Sequence, residues 1–354
     1  MVMVGMNLLG EDGAPLVSAQ MLNAVIVMIL FTCIISSVIT EQSAQHIILR
    51  DKELPVEAHR KANDQRILVP VKYPEYAERL MNMAILMLNR KQTRGLVALN
   101  VVYDGEHMHR NMEQGNRLLE QMTQYCAGSD IQIQTQTRIA ANIANGIKHA
   151  FKEFQASEIL MGLHFHKDIN KNFWGEFTRS LYNGLSRQII ITRITQPLNT
   201  IRRIQVAVPS RAEFEPGFYR WLERLARLAG NLECRILFHG RRESLQLITE
   251  FIRNRFPSVR AEYEEMYHWK ELPDLATRVK ADQLFVIVTA RKGTISYKSA
   301  MERLPEEVNR YFKGKTLMII FPDQYGNRMD DMTFAQPQHT EERSAYEAVR
   351  EWIH

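Results

Sequence analysis

Arg66-Ile-Leu-Val-Pro-Val71 returns, with changes, as Arg203-Ile-Gln-Val-Ala-Val-Pro209. Each copy is a short run of apolar, mostly branched residues opened by an arginine. Such a run fits a strand buried on both faces, as in a parallel sheet. Each copy also opens a longer series in which strand-like and helix-like segments alternate, so the plan of the chain is repeated.

In the first unit, a strand at 67–71 precedes a helix predicted over 74–91. Ala77, Leu80, Met81, Ala84, Ile85 and Leu88 fall on one stripe of that helix. Pro74 and Glu75 suit its first turn, and Arg90 and Lys91 its last. Gly95–Tyr103, "GLVALNVVY", reads as an apolar second strand. Leu118, Leu119, Met122, Tyr125 and Cys126 mark the inner face of the next helix. "IQIQTQT" (131–137) alternates with period two, as a half-exposed edge strand does. A third helix buries Ile143, Ile147, Ala150, Phe151 and Phe154, and strands follow at 158–164 and 188–194. The second unit repeats the order, with strands at 204–208, 234–239, 259–266, 283–289 and 316–321. Alternation of this kind predicts an α/β fold with two tandem five-stranded, mostly parallel sheets flanked by helices.

The 354 residues are 45% hydrophobic and 24% charged, with a net charge of +5. That composition supports a globular core, and the charge excess is too mild to indicate nucleic acid. Cys33, Cys126 and Cys234 are far apart and sit among apolar neighbours. They predict buried, reduced thiols rather than a zinc site or a disulfide framework.

Gly13 to Thr40 carry no charge, and "LNAVIVMILFTCIISSVIT" (22–40) is long enough to cross a bilayer. Arg50, Lys52, Arg60, Lys61 and Arg66 follow it and nothing basic precedes it. The positive-inside rule therefore places everything after about residue 41 in the cytoplasm. Met1–Leu9 is apolar but short, and reads as the end of an earlier membrane helix, with "GEDGAP" (10–15) as the outer turn. The expected divisions are a membrane part at 1–40, with a complete span at about 20–40, and a linker at 41–64. Two α/β domains follow at 65–197 and 198–325, then a polar tail with a short helix at 326–354.

Two such units in tandem resemble universal stress protein domains. Some members of that family bind ATP through a GxxG pattern after strand four, followed nine residues later by Gly and a hydroxyl residue. Here Gly162 and Gly175 stand in the first and third glycine places, Phe165 replaces the second, and Glu176 replaces the hydroxyl. Lys72 stands where ATP-binding members carry an Asp. A carboxylate repels phosphate and a bulky ring blocks close approach, so the resemblance implies a degenerate nucleotide site, with ATP binding by residues 66–194 weak or absent. In the second unit Arg291, Lys292, Gly293, Thr294 and Ser296 follow strand four. They read either as an anion or ligand site or as a basic loop that docks another surface.

The order of membrane helix, linker and tandem tail resembles the C-terminal part of bacterial sodium (or potassium)/proton antiporters. "LNAVIVMILFTCIISSVITEQ" is similar to that family's final membrane helix, and "ARKGTISY…LPEEVNRYF" (290–312) to its tail. The resemblance implies a regulatory part in the bacterial inner membrane whose partners are the remaining transmembrane domain, the lipid bilayer, a second copy in a homodimer and an adenine nucleotide. The family's intramembrane Asp residues have no counterpart between Met1 and Thr40, so this chain is not expected to transport alone. The other reading is a membrane-anchored, nucleotide-binding stress protein. No enzyme activity is expected. His164 and His166, with Asp168 nearby, read as a surface group rather than a metal or acid/base site.

Overall fold

The computed structural model describes residues 21, 23–33, 35–36, 65–89, 93–128, 131–163, 181 and 185–324. By contacts the chain divides into Met1–Ala58 and His59–His354. In the first unit the described residues are helical and mostly exposed, and the Thr32 hydroxyl donates back to the carbonyls of Met28 and Ile29. No helix among the described residues is long and apolar enough to cross a membrane. The expected span at about 20–40 is described only in part. The expected turn at 10–15, linker at 41–64 and tail at 326–354 lie outside the described residues.

Among the described residues the second unit holds ten strands: β1 (Gln65–Pro70), β2 (Thr93–Tyr103), β3 (Ile133–Ala140), β4 (Glu158–Gly162), β5 (Gln188–Arg193), β6 (Arg203–Ala207), β7 (Arg235–Gly240), β8 (Ala261–Glu265), β9 (Gln283–Val288) and β10 (Thr316–Phe321). They form one sheet in the order β3-β2-β1-β4-β5-β10-β9-β6-β7-β8. The expectation of two separate five-stranded sheets is corrected by one pairing. Leu317 to Phe321 of β10 lie antiparallel to Arg193 to Ile189 of β5, and every other neighbour is parallel. The cause is composition. "QIIITR" and "TLMIIF" are buried at every position, and a strand with two apolar faces makes a poor solvent-facing edge. "IQTQTRIA" of β3 has no buried position and ends the sheet, as expected of an edge strand, although its burial does not alternate as its sequence does.

Helices α1 (Pro74–Met87), α2 (Met108–Cys126), α4 (Phe218–Asn231) and α5 (Arg242–Arg255) share one hydrophobic cluster over one face of the sheet. α3 (Ile143–Glu153), α6 (Leu272–Arg278) and α7 (Leu304–Tyr311) cover the other. Pro74 begins α1 as expected. Tyr125 is not on the inner face of α2 but is 43% exposed. Cys126 and Cys234 are buried as expected, whereas Cys33 is exposed.

The two halves are also joined by charge. Arg224 of α4 donates from Nε to Glu158 Oε1 of β4 at 2.8 Å, and a second contact runs from its Nη2 to the same oxygen. Its Nη1 donates to the Met87 carbonyl at the end of α1 at 3.1 Å. Gln188 donates to the other Glu158 oxygen at 2.7 Å. Both charged side chains are almost wholly excluded from solvent.

Candidate functional site

In the first half the strand order 3-2-1-4-5 reverses direction between β1 and β4. α1 and α2 lie over one face and α3 over the other, and a crevice opens beyond the carboxyl ends of the strands. A cavity of about 770 Å³ occupies this place. Its floor is the end of β1 and β2, its sides come from α2 and the start of α3, and Gly162 closes it at β4.

Local chemistry holds the crevice open. Val71 donates from its backbone N to Leu99 at 2.8 Å, and there the β1–β2 ladder stops. The Asn100 side chain then donates to the Val71 carbonyl at 2.8 Å, satisfying a buried acceptor that the ladder leaves behind. Asn100 is itself buried and needs α2 to come close without a side chain. A Cβ at Gly115 would lie 2.4 Å from Asn100 Oδ1. Polar groups on the cavity wall include Asn100, Asn111, Gln114 and Gln121, and among the described residues the charged ones are Lys72 and Arg117. Arg117 is exposed and paired with Glu113 one turn away at 2.6 Å. Lys72 Nζ stands 5.3 Å from the Tyr73 ring centre.

Of the residues singled out from the sequence, Gly162 lines this cavity and Lys72 joins it. Phe165, His164, His166, Asp168, Gly175 and Glu176 lie outside the described residues. Among the described residues no group of three or more His, Cys, Asp or Glu side chains is placed to hold a metal. Asn100 and Gly115 escaped sequence reading. The signal was present in "GLVALNVVY", where Asn100 alone is polar in an otherwise apolar strand.

The corresponding ends of the second half are filled differently. Ala212 and Glu213 are buried after β6, and the Ser244 hydroxyl at the start of α5 donates to Glu213 Oε2. His239, at the end of β7, is drawn down to about 4 by burial, with nearby Glu264 opposing the shift. The five residues of the basic loop do not converge. Arg291 is buried and donates to the Arg187 carbonyl at 2.6 Å. Arg187 and Arg220 both pair with buried Asp323, at 3.1 and 3.2 Å. The backbone N of Ser296 donates to Glu215 at 3.0 Å, and its hydroxyl contacts the same carboxylate. Thr294 donates to the Arg291 carbonyl at 2.9 Å. Gly293 adopts φ of 91°, which its lack of a Cβ permits. Lys292 is exposed.

The molecule is thus a mostly parallel α/β sheet with a ligand-sized crevice at a topological switch point. No family model matches the chain. Its sequence is similar to the Na(+)/H(+) antiporter NhaS5 of Synechocystis sp., with 22% identity over 246 residues, which cover 64% of this chain and 35% of the antiporter. The match therefore spans about a third of that relative. Among solved structures, the cytoplasmic domain of a prokaryotic cation chloride cotransporter is 12% identical with a TM-score of 0.49, over 75% of this chain and 98% of the other. A universal stress protein from Archaeoglobus fulgidus is 13% identical with a TM-score of 0.49, over 73% and 96%.

Proposed function

We propose that this chain is the cytoplasmic regulatory part of a sodium (or potassium)/proton antiporter, which does not transport alone. The observation that carries the reading is the 246-residue similarity to a sodium/proton antiporter. The uncharged stretch from Gly13 to Thr40, with Lys and Arg only after it, supports attachment to the bacterial inner membrane with the sheet inside. The division into 1–40, 41–64, 65–197, 198–325 and 326–354 belongs to the same proposal. The rest of the transmembrane domain and the bilayer are its partners, and the first-half cavity is where it takes a regulatory ligand.

The second reading, a membrane-anchored nucleotide-binding stress protein, draws on the same cavity. Ion flux separates the two. The chain is expressed in bacteria stripped of their own sodium/proton antiporters, and inverted membrane vesicles are challenged with sodium or potassium. The chain alone should leave the proton gradient intact. Together with the transmembrane part of the similar antiporter it should change the exchange rate. Exchange by the chain alone, or no effect on the assembled exchanger, overturns the proposal.

A further inference from the structure

β3 ends the sheet, and the way its backbone is turned decides what its outer side offers. Leu96 donates from its backbone N to the Gln132 carbonyl at 2.8 Å, and Asp104 donates to the Ala140 carbonyl at 3.2 Å. The register runs without a shift from Leu96 opposite Ile133 to Tyr103 opposite Ala140. Successive residues of a strand turn their peptide groups to opposite sides. The even-numbered residues of β3 therefore bond β2, while Ile133, Thr135, Thr137 and Ile139 turn N–H and C=O outward. Among the described residues no strand pairs with that side.

Edge strands are ordinarily guarded by proline, lysine, a bulge or an inward charge. β3 has no Pro, Lys, Asp or Glu, its ladder has no bulge, and its one charge, Arg138, is held by Glu153 of α3. The opposite rim differs. "AEYEE" of β8 would set Glu262 against Glu264 in an antiparallel pairing centred on Tyr263.

Residues 133–139 read Ile-Gln-Thr-Gln-Thr-Arg-Ile. Laid antiparallel to itself about Gln136, this run puts Ile133 opposite Ile139, Gln134 opposite Arg138 and Thr135 opposite Thr137. The outward-turned residues fall opposite one another, so each open N–H meets an open C=O. Side chains match as well. The odd-numbered ones lie on the α2 side, where Thr137 bonds Asn116 at 2.6 Å and Ile133 packs on the core. The even-numbered ones lie on the α3 side, where Gln136 bonds Glu153 at 3.2 Å. Opposed residues differ by an even number, so each face continues across the seam. Ile139, 44% exposed, gains an apolar neighbour, threonine meets threonine, and no like charges are opposed.

We propose that β3 is the docking edge for a second copy of this chain, paired antiparallel about a two-fold axis at Gln136 so that the two sheets run on as one. The pairing closes on itself, because β3 is consumed in the seam and the glutamates of β8 oppose growth at the outer rims.

The test is oxidative cross-linking of the full chain in detergent, with the exposed Cys33 changed to serine and the buried Cys126 and Cys234 left in place. Gln136 would face its own counterpart in a non-hydrogen-bonded pair, with Cα atoms about 4.5 Å apart, a spacing that a disulfide spans. Gln136→Cys should therefore convert most of the chain to a covalent dimer. Gln134 would stand about 13 Å along the strand from its counterpart. Gln134→Cys alone should not cross-link, but should do so when mixed with Arg138→Cys. Thr137→Pro removes an N–H that points away from β2, as proline on an edge strand can. Added to Gln136→Cys, it should abolish the cross-link and leave the melting temperature near that of the parent. No cross-link with Gln136→Cys, equal cross-linking with Gln134→Cys alone, or a cross-link that survives Thr137→Pro each overturns the proposal, whatever else then occupies the edge. The antiporter reading stands or falls separately, by ion flux.

Discussion

Arg224 and Glu158 are each costly to bury, and each is tolerable because of the other. Removing the arginine leaves a carboxylate in the interior with Gln188 as its side-chain partner. Arg224→Ala should therefore lower stability by about 3–5 kcal/mol, measured by urea unfolding. Replacing both, as Arg224→Met with Glu158→Leu, should recover most of that loss, because apolar packing substitutes well for a buried pair. If the double variant is no more stable than the single one, the charge is not the source of the cost. The pair was hidden in the sequence. Arg224 sits among Trp221, Leu222, Leu225 and Leu228, and Glu158 opens an apolar strand, where charges ordinarily mark a solvated boundary. Only the docking of α4 against β4 brings them together, at a separation of 66 residues.

At the scale of elements, periodicity was a good guide wherever one face is wet. The stripe on α1 and the edge position of β3 were legible, though burial along β3 does not alternate as its sequence does, and the two fifth strands, with no wet face, were legible from composition instead. Boundaries shifted where capping and pairing decide them. α1 closes at Met87 rather than Lys91, and β3 runs from Ile133 to Ala140 because β2 stays in register that far. The cavity was legible only through Gly162 and Lys72, because its remaining walls come from helices whose approach to the sheet depends on single contacts. α2 is the clearest case. A methyl at Gly115 meets Asn100 where the β1 ladder ends. Gly115→Ala should cost about 1–3 kcal/mol by overpacking. It should also push α2 outward and reduce binding of any ligand in the cavity. Unchanged stability in urea would show that Asn100 can turn away at no cost.

For the whole molecule, the sequence repeat predicted two units but not that they share one sheet. The information sits in β5 and β10, whose uniform burial signals a partner without naming it. The consequence for stability is that the halves should not melt separately. Scanning calorimetry of the chain should show one transition for the sheet, and a chain ended after residue 197 should associate or precipitate through the bared strand β5. Two resolved transitions, or a monodisperse monomer from the shortened chain, would argue that the β5–β10 junction is incidental.

The antiparallel meeting of β5 and β10 has a further consequence for assembly. Two like halves set head to head are what a symmetric pair of separate subunits would present, here fused into one polypeptide. The contact that could have recruited a second molecule is spent internally, so the fifth strands contribute no valence to oligomers. Among the described residues the remaining strand edges are β3, rich in Gln and Thr, and β8, with glutamates that face Arg203, Arg235 and Arg278. Among the described residues, those rims and the helical faces are the surfaces left open to a second copy, and the centre of the sheet is not.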